Sequence, residues 1–71
     1  AIDKVDYSLL PDGRIRLTNN NESDINGLTM VVKAKAVTVN SLIPNQKTVD
    51  NGIIFWFDIG AGDSKIIRIV E

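Results

Sequence analysis

Ile53-Ile54-Phe55-Trp56-Phe57-Asp58-Ile59 holds the only Trp and both Phe of this chain, and its alternation decides the fold. Successive side chains of a strand point to opposite faces. Read that way, Ile53, Phe55, Phe57 and Ile59 share one face and Ile54 and Trp56 share the other. A strand apolar on both faces is central, or is covered by a partner. Asn51-Gly52 just before it is a strong turn signal.

The same period of two recurs on either side. Val5–Leu10 places Val5, Tyr7 and Leu9 on one face and Asp6 and Ser8 on the other. Pro11-Asp12-Gly13 supplies a turn, because Pro presets φ and Gly tolerates positive φ. Arg14–Thr18 alternates again, with Ile15 and Leu17 inward. These two runs predict a β-hairpin. Asn19 to Asp24 is polar and rich in turn formers and is expected to be an exposed loop.

Leu28–Asn40 is the longest β-prone run, and it changes phase. Leu28, Met30, Val32 and Ala34 fall on one parity, Val37 and Val39 on the other. One flat strand cannot bury both sets on one side. The break is expected at Lys33-Ala34-Lys35-Ala36, as a bulge or a crossing between sheets, with both lysines in solvent. A helical spacing of Ile25, Leu28, Val32 and Ala36 competes with this reading. The β-branched runs Val31-Val32 and Val37-Thr38-Val39 weigh against it. Pro44 to Lys47 is expected to be a loop, Gly60 to Ser64 a hairpin turn, and Lys65–Val70 the last strand. Six or seven short strands of this kind predict a single all-β domain over residues 1–71, a small antiparallel β-sandwich.

Composition narrows function by exclusion. With 71 residues, a lone domain buries only about 60–65% of the surface its unfolded chain exposes. Cys and His are both absent. That removes disulfides, thiol chemistry, His-based triads and most zinc, copper or haem sites. The formal net charge is −1, with no basic excess to attract phosphate, so nucleic acid is not an expected partner. No apolar run approaches the ~20 residues of a membrane-spanning helix. The first residue is Ala1, which fits an excised domain, a processed product or loss of an initiator Met. No cofactor is expected and the chain is not expected to be an enzyme.

Individual residues offer few sites. Ile54 and Trp56 are candidate interface residues, since the outer face of a two-layer sandwich meets water unless a partner covers it. Trp56 also serves as a stacking platform in a carbohydrate-binding reading, and as a core residue in a purely structural one. Tyr7 reads as a core-edge residue. Asn19, Asn21, Glu22 and Asp24, with Asp58 and Asp63 elsewhere, offer oxygen ligands without the spacing of a calcium loop. Asn21-Glu22-Ser23 is a candidate N-glycosylation sequon. Gly60-Ala61-Gly62 lacks the Lys and helix of a phosphate-binding loop.

Gly13-Arg14-Ile15-Arg16-Leu17-Thr18-Asn19-Asn20 resembles the strand that runs into an Asn-rich corner in small immunoglobulin-like modules. Ile59 to Ile69 resembles their closing hairpin. Together they are similar to the cell-adhesion-related repeat domains of large bacterial and archaeal surface proteins. The resemblance implies an immunoglobulin-like structural or adhesion module, extracellular or at the cell surface. Such a module takes a protein partner or neighbouring domains, or self-associates. A carbohydrate-binding module and a subunit of a self-assembling filament or shell are the alternatives.

Overall fold

In a computed structural model, residues 4–71 are described; the first three residues of the expected domain lie outside them. Seven strands follow in order: β1 (Val5–Leu9), β2 (Ile15–Asn19), β3 (Ile25–Val32), β4 (Ala36–Val39), β5 (Asn45–Val49), β6 (Gly52–Ile59) and β7 (Ser64–Val70). They form a four-stranded sheet in the order β1-β2-β7-β4 and a three-stranded sheet in the order β3-β6-β5, with every pairing antiparallel. The protein is an all-β sandwich, as the period-two pattern predicts, and no helix forms over Ile25 to Ala36.

The core lies between the sheets. Leu17, Val37, Val39, Ile53, Phe55 and Ile67 are buried together. Phe55 is fully buried, and its ring stacks on Phe57 at 6.0 Å between centroids. β6 sits between β3 and β5, so both of its edges are paired, but only the Phe55 face meets the other sheet; the Ile54 and Trp56 face has no covering layer among the described residues.

The four-plus-three layering is that of a constant-type immunoglobulin sandwich, but the chain visits the strands in another order. In that fold the fifth strand lies between the second and fourth, and the sixth between the third and seventh. Here β7 lies between β2 and β4, and β5 takes the place beside β6. Only β1–β2 and β5–β6 join neighbours in one sheet; each remaining connection crosses the sandwich.

The phase change falls where expected. After Val32 the chain bends through residues 33–35 and enters the other sheet as β4, with Lys33 and Lys35 exposed. A second irregularity precedes it: the β3–β6 register shifts between Ile25 and Leu28, where Gly27 has φ +73°. That bulge turns Ile25 inward although its parity is opposite to that of Leu28.

Four local expectations are corrected. Asn45, Gln46 and Lys47 are not loop: they open β5, an edge strand of exposed polar side chains held by pairing with β6. Such a strand has no apolar alternation to announce it. Tyr7 and Leu9 lie on the inward side, opposite Leu17 and Ile15, yet are 76% and 74% exposed. Val5 packs against the core, but the opposite sheet does not extend over Tyr7 and Leu9. Asn19 is not part of an exposed loop; it ends β2 and is fully buried. Residues Gly60 to Asp63 are not a hairpin turn, because β6 and β7 belong to different sheets.

Candidate interaction surface

β6 presents Ile54 and Trp56 on the face turned away from the core. Antiparallel pairing sets Val31 opposite Ile54 and Thr29 opposite Trp56 on one side, with Lys47 and Asn45 opposite them on the other. Directly opposed residues share a face, so these six side chains form one patch. Val31 is 66% exposed and Trp56 37% exposed, while Ile54 is half-buried among its neighbours. The result is an apolar stripe from Val31 across Ile54 to Trp56, rimmed by Thr29, Asn45 and Lys47.

One end of the patch is pinned by a carboxylate. Asp58 lies on the same face two residues beyond Trp56, and its Oδ1 accepts the Gly27 N–H at 2.8 Å. The positive φ of Gly27 aims that N–H at Asp58, and Thr29 Oγ1 donates to the Gly27 carbonyl at 3.0 Å. The bulge therefore fixes the β3 rim against β6. At the other end Gly52 allows close approach of β3: a Cβ there would strike the Val32 carbonyl oxygen.

Two concavities elsewhere are lined by Leu9, Arg14, Ile15 and Arg68, and by Lys33, Lys35, Asn51 and Gly52. Neither includes Trp56. A second apolar feature lies at the β4–β5 connection. Asn40 and Ser41 both have positive φ, and Val39 and Leu42 exchange two hydrogen bonds, which defines a tight two-residue turn. It leaves Leu42 and Ile43 exposed.

The polar loops do structural work at the opposite corner. Asn19 Nδ2 donates to the carbonyls of Ser23, Ile59 and Gly60, and its Oδ1 accepts the backbone and side-chain N–H groups of Asn21. Every amide position of this buried group is satisfied. Asn21, the candidate glycosylation residue, is half-buried, and its Nδ2 lies 2.8 Å from Asn19 Oδ1. Asp24 Oδ1 accepts the Ala61 N–H. Among the described residues no three Asp or Glu side chains converge to hold a metal ion. Asn19 had no sequence signal separating it from Asn20 and Asn21; only its place at an inward strand position distinguishes it.

Comparison with protein-family models, curated proteins and solved structures finds no match to this chain.

Proposed function

We propose that this sandwich is a non-catalytic interaction module, a domain with immunoglobulin-like layering but a different strand order, within a larger extracellular chain or assembly. Its Val31–Ile54–Trp56 face docks a neighbouring protein domain. The observation that carries the reading is the placement of the sole Trp on the solvent side of the central strand β6, in an apolar stripe with a polar rim. Interface centres are rich in aromatic residues, and rims are polar. The absence of Cys and His supports a non-catalytic role by removing thiolate nucleophiles and imidazole bases. The extracellular setting rests on the resemblance of the Asn-rich corner to surface-protein repeats; the closing segment crosses between sheets instead of forming their hairpin and adds no support.

Both concavities lie away from Trp56, which favours a protein over a small ligand, since small-ligand sites are concave. The test compares Trp56→Ala with Phe55→Ala in denaturant unfolding, alongside acrylamide quenching of Trp56 fluorescence. The expected result is a quenchable Trp whose removal leaves the domain folded. Loss of stability equal to that of Phe55→Ala would make Trp56 a core residue and remove the docking face. Trp56 resonances that move on addition of oligosaccharides would favour the carbohydrate-binding alternative.

A further inference from the structure

The free edge of β1 has the hydrogen-bonding groups, apolar side chains and charges to pair with itself. Asn20 N–H bonds the Lys4 carbonyl, and Leu10 N–H bonds the Arg14 carbonyl. Hydrogen-bonded positions alternate along an antiparallel pair, so Asp6 and Ser8 also bond β2. The N–H and C=O groups of Val5, Tyr7 and Leu9 therefore point to the open side of the sheet, where no described residue meets them. The side chains of the same three residues lie on the inward face, which the other sheet leaves uncovered at Tyr7 and Leu9.

The other three edges carry devices that blunt strand addition. β3 has the Gly27 bulge, β5 follows Pro44, and β4 is bridged at Val39 by Leu42. β1 has no bulge, no proline and no inward-facing charge.

We propose that two copies of this domain associate through antiparallel pairing of β1 with β1, on a two-fold axis at Tyr7. Charge selects this register. With Tyr7 opposite Tyr7, Val5 stands opposite Leu9 and Asp6 opposite Ser8. Because Ser8 pairs with Arg16, one outward row then reads Arg16, Ser8, Asp6 of the second copy, Thr18 of the second copy. The dyad repeats it, so two Arg16 guanidiniums face two Asp6 carboxylates across a serine. Adjacent strands are about 4.8 Å apart, and the long Arg side chain bridges the two-strand span. Arg16 is exposed and makes no ion pair among the described residues. Slipping two positions one way sets Asp6 directly against Asp6, and like charges directly opposite are destabilising; slipping the other way takes Asp6 out of the Arg16 row.

Inside, the Tyr7 pair is flanked by Leu9 and Val5 on each side, continuous with Ile15 and Leu17 of β2. The edge is short. It buries less than the ~1,200 Å² of a stable interface, so the dimer is a weak one that forms at submillimolar to millimolar protein. This surface is separate from the Trp56 face, and its fate does not depend on that reading.

The test is a concentration series of the 71-residue chain by sedimentation equilibrium and amide-resolved NMR. The expected result is dimer at about 1 mM protein, with concentration-dependent shifts at the Val5, Tyr7 and Leu9 amides. Arg16→Glu alone and Asp6→Lys alone should each weaken it at least about 5-fold, and the double variant should recover to within about 2-fold. Tyr7→Pro, which removes an outward N–H the β1–β2 ladder does not use, should leave a folded monomer. Trp56→Ala should dimerise as before. A monomer at about 1 mM, shifts mapping to Val31 and Trp56, or a double variant no better than the single ones would overturn the proposal.

Discussion

Asn19 and Ile59 are 40 positions apart in the chain, and the Asn19 side-chain amide donates to the Ile59 carbonyl at 3.1 Å. β2 and β6 belong to different sheets, so this bond ties the two layers at one corner. The same corner is closed by backbone bonds between Asn19 and the β6–β7 connection: its N–H to the Asp63 carbonyl, and its carbonyl from the Gly62 N–H. A fully satisfied buried amide is costly to disturb from either side.

Asn19→Ala should therefore cost about 2–4 kcal/mol in denaturant unfolding, because it strands the Ile59 carbonyl and the Asn21 N–H in a buried corner. Asn19→Asp adds a pH dependence. Burial beside three carbonyls disfavours the carboxylate, so the folded-state pKa of the new Asp lies above its unfolded value of about 3.9. A raised carboxyl pKa makes the penalty grow as pH rises from the unfolded value toward the folded one. The variant should regain stability on acidification into that window. A flat profile relative to the parent chain would show that Asn19 is not buried as described.

Phe55→Ala and Trp56→Ala separate the two faces of β6. Phe55 is fully buried, and truncation should cost roughly 3–5 kcal/mol, a large share of the stability of a small domain. Trp56 is 37% exposed, and its loss should cost clearly less. Equal costs by chemical denaturation would count against the outer patch.

Asp12 should titrate below the ordinary aspartate range. The Arg14 backbone N–H bonds its Oδ1 at 3.1 Å and holds the pKa down; slight desolvation opposes this, and the Arg14 guanidinium 2.6 Å from Oδ2 lowers it further. A depressed carboxyl pKa gives stability that is present above the unfolded value and is lost as pH falls through the folded one. A carbon-detected titration of the Asp12 carboxyl should give a midpoint below about 3.9, and Arg14→Ala should raise it.

Gly52→Ala tests the close approach of β3 to β6. The new methyl would meet the Val32 carbonyl, a backbone atom that cannot swing aside. A loss of roughly 1–3 kcal/mol is expected. Gly13→Ala meets no atom, but its φ of +89° is strained for alanine; the two variants thus separate steric clash from conformational strain when their crystal or NMR structures are compared.

Much of this architecture was legible because burial and alternation agree. Ile15 and Leu17, Val37 and Val39, and Ile53 through Ile59 each repeat every second residue, and each became a strand facing the core. The break at Lys33 to Ala36 was visible as a change of parity, which a crossing between sheets requires. β5 was hidden because Asn45 to Thr48 have no apolar face; pairing with β6 alone makes it a strand. Tyr7 and Leu9 had the correct face and the wrong burial, since one sequence says nothing of how far the opposite sheet extends. Asn19 was hidden because an amide in an Asn-rich run looks like its neighbours. For the outer patch, parity already set Ile54 and Trp56 on one face; Val31 joined them only through the register with β3.

The position of β7 between β2 and β4 bears on how the chain is made. Until β7 emerges from the ribosome, β2 has one unpaired side and β4 lacks its sheet neighbour entirely. The four-stranded layer cannot assemble in stages from the N-terminus. Only the β1–β2 hairpin and the β3-β6-β5 layer are available before synthesis reaches Ser64. Folding then waits on contacts between distant parts of the chain, which are slow to form, and the exposed flanks of β2 and β4 are open to foreign strands in that interval. A shortened chain ending before Ser64 would thus be a seed for aggregation rather than a smaller domain.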